Sequence, residues 1–120
     1  MIYFIAGIGG IFGSVARYKL GKVVSERSNS IFPIGTFVIN ISGAFLLGII
    51  SNIGLNSNYY YLLGDGFLGA YTTFSTFMYE GFNLFRENEK LNAITYFAIT
   101  VTIGLISYAI GAHIAKLILL

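Results

Sequence analysis

The sequence predicts an all-α integral membrane protein, with four transmembrane helices and a break in the third. Three observations carry that expectation. Only 10% of the 120 residues are charged and 56% are hydrophobic, whereas a soluble domain carries about a quarter charged residues. The mean hydropathy is +0.78, and the apolar residues gather into long runs near the roughly 20 residues that a membrane crossing needs. Those runs do not alternate polar with apolar, and an open sheet edge has no place in lipid. A single four-helix domain over residues 1–120 consumes the whole chain.

Span 1 is expected at about 2–20. Its opening, MIYFIAGIGG, has no basic region ahead of the apolar run, so it reads as a first span rather than a cleaved signal peptide. The linker YKLGKVVSERSNS is polar and basic. Pro33, the only proline, suits the first turn of span 2, expected at about 34–53. NSNYYY is a polar linker whose tyrosines fit a membrane interface. Span 3 is expected at about 60–85, FRENEKLN is a charged turn, and span 4 follows at about 93–119. Glycines and alanines run through the spans, with Gly7, Gly10 and Gly13 on the first, Gly43, Ala44 and Gly48 on the second, and Gly104 and Gly111 on the fourth. Small faces let helices approach closely.

Composition also excludes functions. Without cysteine there is no disulfide or thiolate metal site. A net charge of +2 is too small for a nucleic-acid surface. GIGGIFG fails the G-x-G-x-x-G spacing, because Phe12 stands where glycine is required. No nucleophile–base–acid set supports an enzyme, and His113 is a lone histidine near a helix end. The basic residues set an orientation. With four spans, Arg17, Lys19, Lys22, Arg27, Arg86 and Lys90 flank loops on one side, and Lys116 alone is on the other. That places both termini outside and the basic loops in the cytoplasm.

The polar groups inside the spans are the candidate site. Asn40 lies mid-span, with Thr36 one turn earlier on the same face; it reads as an interhelical hydrogen bond or as part of a lined path. In span 3, Gly64, Gly66 and Gly69 precede Thr72, Thr73, Ser75 and Thr76. Either the helix breaks near Gly69–Thr73, offering carbonyls to a cation, or it stays intact with its hydroxyls bonded to the preceding turn. Phe74 and Phe77 share a face. They are packing rings, or rings whose positive edges solvate a small anion, helped by the Asn40 amide and the hydroxyls. Tyr96 and Thr100 form a hydroxyl pair on span 4.

Together, GGIFGSVARY, PIGTFVINISGAFLLG and GFLGAYTTFSTFMYE resemble the CrcB/Fluc family of fluoride channels over nearly the whole chain. The resemblance implies four helices per subunit and an antiparallel (inverted) dimer with two fluoride pores at its interface. It further implies a central sodium ion and passive export of cytoplasmic fluoride through the cell membrane, which relieves fluoride toxicity. By motif, Asn40 resembles the pore asparagine, and Phe74 and Phe77 the ring pair. Thr36, Tyr96 and Thr100 resemble the polar track. Gly69 and Thr72 resemble the positions whose carbonyls hold sodium, Arg17 the vestibule residue, and Glu80 the acid closing the third motif. Ser14, Ala70 and Tyr71 depart from the usual pattern. The partner expected from the lopsided basic residues is an oppositely oriented homologue, a homodimer being the alternative. The rival function, a small proton-coupled multidrug exporter, wants an embedded acid in span 1, which has none.

Overall fold

The computed structural model describes residues 2–27, 33–72 and 74–119, apart from the side chain of Ser75. Thr73 and the Ser75 hydroxyl, two of the expected hydroxyls, therefore lie outside the described part. The described chain is helical, with no strand. Its elements are α1 (Ile2–Glu26), α2 (Ile34–Asn52), α3 (Ser57–Tyr60), a π-helical segment (Tyr61–Leu68), α4 (Gly69–Tyr71), α5 (Phe74–Arg86) and α6 (Lys90–Leu119). By length and composition, α2 and α6 can each cross a membrane. Large apolar side chains such as Ile11, Phe12, Leu105 and Ile110 are exposed, the pattern expected where the solvent is itself apolar.

α1 runs past the expected end near Leu20 to Glu26. Its tail stays helical because it packs on the first turn of α2. A Cβ at Gly21 would lie 3.1 Å from Ile39, and one at Gly35 would lie 2.6 Å from the Ser25 hydroxyl. The linker read as polar is thus partly a packed helix. Pro33 sits just before Ile34 at the N-cap of α2, and its carbonyl accepts the Phe37 N–H at 3.1 Å. α2 ends beside Gly54, whose φ of +79° suits glycine.

Two glycine seams hold the helices. Between α2 and α6, a Cβ at Gly48 would overlap the Tyr108 carbonyl, and one at Gly111 would overlap that of Phe45. Between α1 and the π-helical segment, Gly9 faces the Leu62 carbonyl, Gly13 that of Phe67, and Gly66 that of Ala6, each too close for a Cβ. The expected small face of α1 was Gly7, Gly10 and Gly13. Gly7 instead has nothing within 4 Å. Six residues of helix turn Gly7 about 120° away from Gly13, whereas the four-residue step from Gly9 nearly returns to the same face.

The run from Ser57 to Arg86 changes winding twice. It widens to π-helix at Tyr61–Leu68, a rare form that is frequent at functional sites. It then leaves helical geometry at Thr72, which is extended (φ −79°, ψ 152°), before α5 begins at Phe74. Both the backbone N–H and the hydroxyl of Thr72 donate to the Leu68 carbonyl, at 3.0 and 2.9 Å. The hydroxyl thus ties the last turn of α4 back on itself. Beside it, Gly43 of α2 leaves room for the Thr72 methyl.

Candidate functional site in the groove between α2, the π-helical segment and α6

An open groove of about 640 Å³ runs between these elements and the start of α5. It brings together most of the sequence-predicted residues: Asn40 from α2, Gly69 and Thr72 at the start and end of α4, Phe74 and Phe77 from α5, and Thr100 from α6. The two rings differ in setting. Phe74 is 74% exposed and Phe77 only 8%, with centroids 6.1 Å apart and planes at 54°. The Thr100 hydroxyl is buried with no hydrogen-bond partner among the described residues. A buried donor left in that state is costly.

Tyr96 does not line the groove. It is fully buried behind it, its ring 5.2 Å from that of Phe77. Phe97, which the sequence reading passed over, meets Phe77 edge to face at 5.1 Å and 89°. Its ring lies where a Cβ at Gly81 would otherwise sit. Phe77 is therefore backed by two α6 rings that themselves meet at 5.8 Å, an arrangement worth more than area burial alone.

Arg17 and Thr36 line a second cavity of about 270 Å³, with Lys22, Ser25 and Thr76 around them. Arg17 Nε is buried there without a hydrogen-bond partner among the described residues. Two basic side chains and several hydroxyls make this cavity attractive to anions. Thr36 also reaches α5, its hydroxyl donating to Glu80 Oε1 at 2.6 Å. The pairing spans 44 positions, so no local spacing announces it.

A second hydroxyl link joins α2 to the break. Ser42 Oγ donates to the Ile39 carbonyl at 3.1 Å and lies 2.8 Å from the Tyr71 hydroxyl. A serine hydroxyl has one proton. When that proton is on Ile39, Tyr71 is the donor to Ser42; either hydroxyl can donate in the pair. The Tyr71 ring stacks on Phe67 at 5.7 Å, so the residue before the extended Thr72 is fixed from both sides. Tyr71, noted in the sequence only as a departure, is a structural anchor.

No cluster of three metal-ligating His, Cys, Asp or Glu side chains occurs among the described residues. Asp65 is the one acidic side chain among the groove's lining residues, so a cation there would be held largely by neutral oxygens. The α4 ladder ends with Thr72 N–H on Leu68, and the carbonyls after Leu68 are the last of that helix. Carbonyls at such half-helix ends suit a sodium-like ion, and Gly69 and Thr72 are where the groove meets them.

Residues 4–112 match the family model described as CrcB-like protein, Camphor Resistance (CrcB). The chain is 56% identical over 117 residues to a Clostridium acetobutylicum protein named Fluoride-specific ion channel FluC 2, covering 98% of this chain and 100% of that one. It is 39% identical to a Bacillus cereus protein of the same name, covering 92% of this chain and 93% of the relative. A Mycobacterium bovis protein, also so named, is 40% identical, covering 92% and 86%. With a family model matched over most of its length and relatives aligned nearly end to end, the chain belongs to the CrcB family.

Proposed function

We propose that this chain is a subunit of a fluoride-selective ion channel in the cell membrane, which lets cytoplasmic fluoride leave passively and so protects against its toxicity. The relatives' names supply the ion. The observation that carries the reading is the groove in which Asn40, Thr100, Phe74 and Phe77 converge. A halide stripped of water needs donors of partial positive charge, because a full counter-charge would trap it. The amide and hydroxyl provide N–H and O–H, and the rings provide positive edges. Phe77, backed by Tyr96 and Phe97, cannot retreat toward α6 to admit a larger halide. The cavity around Arg17, Thr36 and Thr76 is the vestibule that gathers the anion. Thr36 in the second cavity and Thr100 in the groove supply the polar track, and Tyr96 stands behind the Phe77 ring.

The chain crosses the membrane four times, by α1, by α2, by the run from α3 through the break to α5, and by α6. A second subunit in inverted orientation closes the open face of the groove. The Gly69 and Thr72 carbonyls would hold a sodium ion, which would supply fixed positive charge near the anion path. The rival proton-coupled exporter fails for want of an acid in the membrane part of α1, whose only carboxylate, Glu26, is its last residue.

Fluoride efflux from liposomes carrying the assembled channel tests the reading. Asn40→Asp and Phe77→Ile are each expected to slow efflux about tenfold or more, equivalent to roughly 1.4 kcal/mol of barrier. Wild-type rates from both variants would remove these residues from the path.

A further inference from the structure

The break in the third span is tied to α2 by a bond that its packing does not require. Tyr71, the last residue of α4, is buried and does not line the groove. Its ring lies nearly parallel to that of Phe67, at 14°, and flanks Gly43, where a Cβ would lie 3.4 Å from it. Ile39 and Leu68 complete the apolar cluster around it. A ring of this size fills that space with or without a polar tip. What tyrosine adds is one hydroxyl, and it meets Ser42 Oγ of α2 at 2.8 Å.

Apolar contact holds two helices together but has no direction, whereas a hydrogen bond constrains both distance and angle. The place of this bond matters. Gly69 lies two residues before Tyr71 and Thr72 one after, and theirs are the carbonyls suited to a cation. Thr72 is also where the chain turns extended. On the α2 side, Ser42 Oγ reaches the Ile39 carbonyl at 3.1 Å, in the peptide that joins Ile39 to Asn40. The hydroxyl pair therefore connects the break to the backbone beside the groove's amide. A cation held largely by neutral oxygens is bound by their dipoles, so its affinity depends on how those oxygens are aimed.

We propose that the Tyr71 hydroxyl is a positioning group for the break: its bond to Ser42 keeps the Gly69 and Thr72 carbonyls in the geometry that binds sodium. The inference rests on the reading that those carbonyls hold sodium.

The test unfolds the assembled channel by heat, in detergent without fluoride, at rising sodium chloride, with N-methylglucamine chloride holding the ionic strength constant. A ligand that binds only the folded state raises the midpoint once its concentration passes Kd, so the onset of the rise reads the sodium affinity. Tyr71→Phe keeps the ring and leaves Ser42 its Ile39 acceptor, so no buried donor is stranded. It is expected to move the onset to at least about threefold higher sodium. Ser42→Ala should move it too, and adding Tyr71→Phe to Ser42→Ala should move it no further, the bond being already gone. Leu84→Val, in the buried cluster near the end of α5, is expected to lower every midpoint yet leave the onset in place, which separates aimed carbonyls from a general loss of stability. An unchanged onset in Tyr71→Phe overturns the inference, as does a further shift in the double variant or an equal shift in Leu84→Val. A wild-type midpoint indifferent to sodium would instead remove the cation reading, and this inference with it. Because no fluoride is present, a chain that conducts none can still support the role of Tyr71.

Discussion

At the scale of residues, the candidate site was legible wherever a polar or aromatic group broke an apolar run. Asn40 and the Phe74–Phe77 pair stood out for that reason, and the groove collects all three. What the sequence hid were pairings between distant elements. Thr36 and Glu80 are 44 positions apart yet share a 2.6 Å hydrogen bond. Tyr71 meets Ser42 across 29 positions, and Phe97 reaches Phe77 from another helix. Nothing in local spacing predicts such contacts, because they depend on how the helices are set against each other. The Thr36 bond has a measurable worth. Thr36→Val strips the Glu80 carboxylate of that donor and is expected to cost about 1.5–3 kcal/mol, as hydrogen bonds to charged groups do. The readout is a lower midpoint of thermal unfolding in detergent, and Thr36→Ser should restore most of it. An unchanged midpoint in Thr36→Val would mean that the bond contributes nothing.

At the scale of elements, apolar runs gave the helices, but their ends and the faces they present depended on packing. α1 outran its expected end because Gly21 and Ser25 found α2. Its glycine face came from Gly9 and Gly13, which no count of glycines could separate from Gly7. The π-helical winding at Tyr61–Leu68 left no mark in the sequence beyond its glycines. The contrast between glycines is directly testable. Gly48→Val places a branched side chain against the Tyr108 backbone, which cannot give way, and is expected to destabilise the fold by about 1–3 kcal/mol or more. Gly7→Ala meets open space and is expected to be neutral. Yields of monodisperse protein and unfolding midpoints distinguish the two, and similar behaviour would mean that the α2–α6 seam does not hold the bundle.

At the scale of the whole molecule, six basic residues on one side against Lys116 on the other predict a single orientation in the membrane, with both termini outside. Reporters fused to either end should give one topology. Changing Lys19, Lys22, Arg86 and Lys90 to glutamine should yield a mixture. A wild-type chain already inserted both ways would remove the need for a second kind of subunit. The packing of Phe97 over Gly81 carries meaning at this scale too. The setting of Phe77 is governed from α6, through the space that a missing methyl at Gly81, one turn on along the same face of α5, leaves for Phe97. If the groove is the proposed anion path, a lineage could retune what passes by exchanging bulk between positions 81 and 97, leaving every groove-lining residue as it was. Motif comparison would then see two identical filters where nature had built two different sieves.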